Sequence, residues 1–348
     1  MIRYLQDNKS WIDIAKMCSI VGVVLQHVRG YVYMSDYFFY SVWWVVALFV
    51  MIGGYNSLVS YENRGSFLIR KKLLGIFIPY FFATAIYSLY KNRFWDAEEF
   101  LNALLHFNAT GPMYYVAVYM QLIAITPVLI GAIYLCEKKH KLLRFPCLWL
   151  VILLICYFTT HFTNVFDIII GGGNLFAGPW LFFWFLGMFI RYIGNKVSIS
   201  YAVQTTVVVL LTVAIAVWQY VFVNRGLNLS LYSIFHGSQL KMTWANAFET
   251  VMIFFWFMGA VELFVYVTGK IGQKILMPFV FLGKHTLYTF LYHMLFLSIY
   301  NSYLEMPGGG YNRFMCLAFI IVGPVFLGLI FNVVKREFCK MLENVKVE

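Results

Sequence analysis

The sequence predicts an all-α polytopic membrane protein with about ten transmembrane helices and both termini in the cytoplasm. Three observations carry that prediction. Hydrophobic residues make up 62% of the 348-residue chain and charged residues only 12%, with a mean hydropathy of +0.76, a composition foreign to water-soluble domains of this size. Apolar runs of spanning length recur from end to end of the chain. Basic residues alternate along it in the manner that sets membrane orientation.

The runs lie near 12–33, 39–60, 73–90, 113–135, 146–166, 176–193, 201–223, 248–267, 284–303 and 314–334. Each falls within the range of about 17–25 residues over which a helix crosses the hydrocarbon of a bilayer. The fifth and sixth are the least regular, because Thr159-Thr160-His161 and Gly171-Gly172-Gly173-Asn174 intrude between them. The first run begins near Trp11, is too long for the apolar region of a signal peptide, and carries Asp13 and Lys16, so it reads as an uncleaved span. With both termini inside, the inner segments hold 19 Lys and Arg residues and the outer segments six: Arg29, Lys91, Arg93, Arg225, Lys241 and Arg313. That asymmetry is the positive-inside pattern, and it accounts for the net charge of +11 without a nucleic-acid partner. No linker, low-complexity tract or internal repeat divides the chain, so residues 1–348 read as one membrane domain. The missing repeat weighs against a transporter built from inverted halves.

Metal and nucleotide chemistry find no support in the spacing. The six cysteines (Cys18, Cys136, Cys147, Cys156, Cys316, Cys339) form no CxxC pair, and none falls in an outer segment, so no disulfides are expected. The histidines are scattered without a ligand pair, and no metal is expected. Glycine-rich phosphate loops are absent.

The first span holds the chemically informative pattern. Lys16 and His27 are eleven positions apart, three turns plus about 20°, and so share one helix face; Asp13 lies within about 40° of the same line. The rise separates Lys16 from His27 by roughly 16 Å, which puts a cation near one membrane surface and an imidazole deep in the bilayer. Ionisable groups in lipid are costly and face a cavity or a partner. An Asp13–Lys16 interfacial pair with a packed His27 would satisfy that rule. Three groups on one stripe favour a functional role over it.

Arg70-Lys71-Lys72, before the third span, would suit the phosphates of a soluble donor such as an acyl-CoA; on charge alone they equally suit anionic lipid headgroups. The small residues of Leu48-Phe49-Val50-Met51-Ile52-Gly53-Gly54-Tyr55-Asn56 suggest close helix packing. Gly111-Pro112-Met113-Tyr114-Tyr115-Val116 opens the fourth span, and Phe185-Leu186-Gly187 lies in the sixth. Gly283-Lys284-His285-Thr286-Leu287-Tyr288-Thr289-Phe290-Leu291-Tyr292-His293 places a second histidine near mid-membrane in the ninth. The aromatic content of 20% exceeds what interfacial belts need and would suit an aromatic-lined sugar or acyl cavity.

Taken in order, these segments resemble the membrane acyltransferase 3 family, the integral-membrane O-acyltransferases that modify bacterial surface carbohydrates, over residues from about 7 to 334. The most specific likeness is a basic residue, ten intervening residues and a histidine, with an acid before them: Lys16, His27 and Asp13. Phe49 to Tyr55 resembles the family's LFFFISGY stretch, with Gly53 in the serine's place. Gly111 to Val116 resembles GPLWYL, with Tyr114 for tryptophan. Phe185 to Gly187 resembles part of FFLG, and Gly283 to His293 resembles GKxSLxIYLxH. Fucose 4-O-acetylase-like members also carry Lys before the ten-residue gap. The family's second arginine, shortly before Pro79-Tyr80, is replaced around Gly75.

The resemblance implies an enzyme of the bacterial cell membrane, with no bound cofactor, that moves an acyl group, acetyl first among the candidates, from cytoplasmic acetyl-CoA or another acyl-CoA to a hydroxyl of a cell-surface glycan or lipid-linked sugar. His27 would act as general base or acyl carrier, favoured in its neutral form by burial. Lys16 and Asp13 would organise the inner end of the cavity, and Arg70, Lys71 and Lys72 would hold the donor's phosphates. Tyr55, Tyr114, Tyr115 and His293 would contact substrate. The remaining partners expected are membrane lipids. A non-enzymatic flippase for a glycan intermediate and a membrane ligand-binding module stand as the alternatives.

Overall fold

The computed structural model describes residues 10–92, 95–138, 141–161, 175–197, 199–224, 247–304 and 312–345. Expectations for Gly171 to Asn174, for the N-terminal Arg3 and Lys9, and for the outer cations Arg93, Arg225 and Lys241 lie outside them. Among the described residues the protein is built of helices joined by short turns, with an isolated bridge between Arg29 and Tyr33. A helix satisfies its own backbone, which a lipid surrounding requires.

The helices are α1 (Ser10–His27), α2 (Asp36–Ser41), α3 (Val45–Arg64), α4 (Ile69–Asn92), α5 (Ala97–His106) and α6 (Tyr114–Lys138), followed by α7 (Lys141–His161), α8 (Leu181–Gly194), α9 (Tyr201–Trp218), α10 (Ala247–Lys284), α11 (Thr286–Ile299) and α12 (Arg313–Val345). Among the described residues, six stretches are long and apolar enough to cross a membrane: Asp36–Arg64, Ile69–Asn92, Gly111–Glu137, Tyr201–Val221, Ala247–Lys284 and Arg313–Val333. The other four expected spans fall on α1, α7, α8 and α11. Of these, α8 and α11 have only 14 residues each, and α1 carries Asp13, Lys16 and His27.

Several boundaries differ from the apolar runs for local reasons. The first helix stops at His27 rather than near residue 33, because the chain turns through Gly30 (φ 90°) and closes the Arg29–Tyr33 bridge. The second run is broken at 42–44, between α2 and α3. The 38-residue α10 is kinked at Gly269 (φ 57°, ψ −134°), a conformation open to glycine. Its second half therefore runs on from the eighth expected span as a separate helical arm to Lys284.

Helix α1 stands at the centre, packed against α3, α10 and α11, while α3 packs most extensively on α8. Glycines allow these approaches. A Cβ on Gly54 would overlap the backbone carbonyl of Trp184, and one on Gly187 would overlap that of Met51, so α3 and α8 cross backbone to backbone, as the small residues of those motifs suggested. The largest apolar core joins α1, α3, α6, α8 and α10 through Trp11, Leu48, Met51, Phe183, Trp184 and Phe254. An ion pair locks one end of the α3–α8 crossing. Arg191 Nη2 lies 2.7 Å from Glu62 Oε2, and Asn195 Nδ2 donates to Glu62 Oε1 at 2.6 Å.

A candidate active site at the meeting of two cavities

Two cavities lie along opposite stretches of α1. The first, about 360 Å³, is lined by Val23, Gln26 and His27 of α1, Phe39 and Trp43 of the α2 segment, Val46 and Phe49 of α3, Gly111, Pro112, Tyr114, Tyr115, Trp180 and Phe290. The second, about 270 Å³, contains Lys16 of α1, Ile52, Gly53 and Asn56 of α3, Tyr115 and Tyr119 of α6, and Lys284, Thr286 and Phe290. Three rings, Phe49, Tyr115 and Phe290, belong to both linings. The cavities therefore meet at one aromatic wall contributed by α3, α6 and α11. The helical stripe read from the sequence connects them: Lys16 faces one cavity and His27 the other.

His27 closes α1, and neither ring nitrogen has a hydrogen-bond partner among the described residues; its ring lies against the cavity. His293 of α11 lies beside it, with ring centroids 5.2 Å apart. Among the described residues that line the His27 cavity there is no Lys, Arg, Asp or Glu. The same wall holds buried donors without a protein partner: Trp43 Nε1, Trp180 Nε1 and the Tyr115 hydroxyl. Such groups cost about 1–3 kcal/mol each when left unpaired, so they favour a ligand rich in oxygen acceptors. The segment over this cavity is tied down by Arg29, which pairs with Asp36 and stacks 4.8 Å from the Phe39 ring centre. Gln26 Nε2 donates to Val42 O at 3.0 Å.

At the other end, Lys16 donates to Asp13 Oδ1 at 3.1 Å, so Asp13 holds the lysine rather than lining the cavity. Gly283 seats the end of α10 directly on Asp13, where a Cβ would overlap its backbone carbonyl. That contact sets Lys284 on the wall of the Lys16 cavity. Lys284 makes no ion pair or hydrogen bond among the described residues. Gly53 has a comparable consequence. A Cβ there would fall 2.5 Å from the Trp184 ring and 2.9 Å from the Tyr119 hydroxyl, so the indole and the phenol together fill the space that a serine would need.

Of the residues expected at the site, Lys16, His27, Tyr114 and Tyr115 line the two cavities, whereas His293, expected to contact substrate, lines neither and is buried beside the His27 ring. Tyr55 lines neither; its ring packs between Trp11 and Phe254, 5.3 and 6.0 Å away, and the Arg191 guanidinium lies 5.9 Å from it. Arg70 and Lys71 line a separate groove with Phe67, Leu68, Leu74 and Ile78. Lys72 sits over the Phe67 ring at 4.2 Å. The residues that sequence reasoning did not single out are Lys284, Trp43, Trp180, Phe290 and Tyr119. Lys284 and Phe290 stood within the quoted Gly283–His293 motif, but nothing in their spacing marked them.

The profile of a family described as an acyltransferase domain matches residues 9–333. No curated protein and no solved structure shows significant similarity to the chain. The matched span takes in both cavities, every helix that lines them and the Lys16–His27 stripe, and the chain is thus a member of the acyltransferase 3 family of membrane acyltransferases.

Proposed function

We propose that the protein transfers an acyl group, acetyl first among the candidates, from acyl-CoA to a hydroxyl of an uncharged sugar on a bacterial surface glycan or lipid-linked intermediate. The observation that carries this reading is the pair of cavities meeting at Phe49, Tyr115 and Phe290. One holds two lysines and suits an anionic donor. The other holds an unpartnered imidazole among aromatic walls and suits a neutral polyol. The Lys16–His27 rise of roughly 16 Å suits a donor whose phosphates remain at one surface while its flexible arm reaches the histidine.

In this reading His27 takes the proton of the acceptor hydroxyl, whose oxygen attacks the thioester carbonyl. The C–S bond breaks, and the imidazolium returns the proton to the departing thiolate. Positioning both substrates across one wall converts a bimolecular encounter into an oriented one. Lys16 and Lys284 bind donor phosphates or pantetheine oxygens. Arg70, Lys71 and Lys72, on their separate groove, add a general attraction for the anion or hold lipid headgroups. The Lys16 cavity opens to the cytoplasm, with ten membrane-crossing segments and both termini inside. The 19-to-6 division of basic residues supports that orientation.

Purified protein in lipid nanodiscs, given radiolabelled acetyl-CoA and a methyl hexopyranoside, should release CoA and label the sugar. The matching methyl hexuronoside should be a far poorer acceptor, because its carboxylate would enter a cavity without a cation. Sugar transport across liposomes with no acyl-CoA turnover would replace this reading with a flippase.

A further inference from the structure

His293 is 1% exposed, and its two nitrogens have unequal surroundings. Nδ1 lies 2.8 Å from the carbonyl oxygen of Phe290 and 3.1 Å from that of Thr289. Carbonyls only accept, so Nδ1 carries the proton and donates. A neutral imidazole then has its lone pair on Nε2, and that atom is buried with no hydrogen-bond partner. A buried acceptor left unpaired is costly and calls for a donor. The neighbouring ring is His27, at a centroid separation of 5.2 Å and a tilt of 41°. No hydrogen bond joins the two rings as they stand, but at this centroid separation a rotation of the His27 ring that turns a nitrogen toward Nε2 brings the pair to about 3 Å, ordinary N–H hydrogen-bond reach. His27 in turn has no partner for either nitrogen among the described residues. An acceptor lacking a donor thus stands beside a donor lacking an acceptor.

We propose that His293 is a positioning residue: its Nε2 accepts the N–H of His27 and so fixes which His27 nitrogen faces the cavity as the base. The proposal rests on the acyl-transfer reading and deepens it. The backbone of α11 sets the His293 tautomer, His293 sets the His27 tautomer, and the remaining His27 lone pair points to the acceptor hydroxyl. When His27 takes the hydroxyl proton, the imidazolium keeps its second N–H on His293, and the first proton leaves with the thiolate. This arrangement assigns the proton path without a buried carboxylate behind the base.

The test compares His293→Gln, whose side-chain amide oxygen can stand near the position of Nε2, with His293→Leu, which fills the space without an acceptor. The Leu variant should lose about 10²-fold in kcat, the low end of a general-base contribution, with KM for acetyl-CoA and for the sugar unchanged; Gln should restore most of the loss. A folded Leu variant with near-normal kcat, or Gln and Leu equally impaired, would overturn the proposal. If neither variant folds, imidazole ¹⁵N spectra of the native protein and of His27→Ala decide it. The His293 Nε2 resonance should move from a hydrogen-bonded to a free acceptor position when His27 is removed, and an unmoved resonance overturns the pairing. A wild-type protein that transfers nothing from any acyl-CoA would instead count against the acyltransferase reading, whatever the spectra show.

Discussion

Replacing Gly283 by Ala perturbs the contact that places Lys284 beside Lys16. The added methyl would overlap the Asp13 carbonyl and lie 2.8 Å from Asp13 Cα. Both obstacles are backbone, so no rotamer change relieves them. Overpacking of this kind costs about 1–3 kcal/mol, and the absence of a yielding side chain argues for the upper end. Alanine's better helix propensity returns about 1 kcal/mol, leaving a net loss of about 2 kcal/mol. The end of α10 can avoid that cost only by moving off α1, which carries Lys284 away from the Lys16 cavity. Melting of purified protein in detergent should therefore show a clear fall in Tm, and KM for acetyl-CoA should rise while kcat changes less. Gly75→Ala is the control, since nothing lies within 4 Å of its added methyl. A Gly283→Ala protein with the melting temperature and KM of the Gly75→Ala control would refute the packing argument and the placement of Lys284 that depends on it.

Other substitutions separate the parts of the site. Lys284→Ala and Lys16→Ala should each raise KM for acetyl-CoA, and added salt should weaken wild-type donor binding in the same direction. Joint replacement of Arg70, Lys71 and Lys72 by Ala should raise that KM less than loss of Lys284; unchanged KM in correctly inserted protein would assign the three cations to lipid headgroups. Phe290→Ala opens the wall between the cavities, and the ratio of acetyl-CoA hydrolysis to sugar acetylation should increase, measured as free acetate against labelled glycoside.

What the sequence revealed follows from the kind of information periodicity contains. The eleven-residue interval between Lys16 and His27 fixes a shared helix face, and the structure shows both residues on cavity walls along α1. Small residues within apolar helices predicted close crossings, and Gly54 and Gly187 make one. A helical period says which way a side chain points, but not which helix stands opposite. The approach of Gly283 to Asp13 is a contact across 270 residues of chain, so the role of Lys284 was hidden in a motif whose letters were plain. For the same reason Tyr55, in a promising motif, turns into the core against Trp11 and Phe254, while Trp43 and Trp180, indistinguishable in sequence from interfacial belt residues, line the His27 cavity. The break at 42–44 and the kink at Gly269 left no mark on hydropathy, because both lie within or beside continuous apolar runs.

The central claim is that His27 performs the proton transfer at the meeting of the two cavities. Its most direct test is acetyl transfer from labelled acetyl-CoA by purified His27→Ala. The account predicts a monodisperse, correctly inserted protein that still binds acetyl-CoA and has lost at least about 10²-fold in turnover; a folded His27→Ala protein that acetylates the acceptor at a near wild-type rate would contradict it.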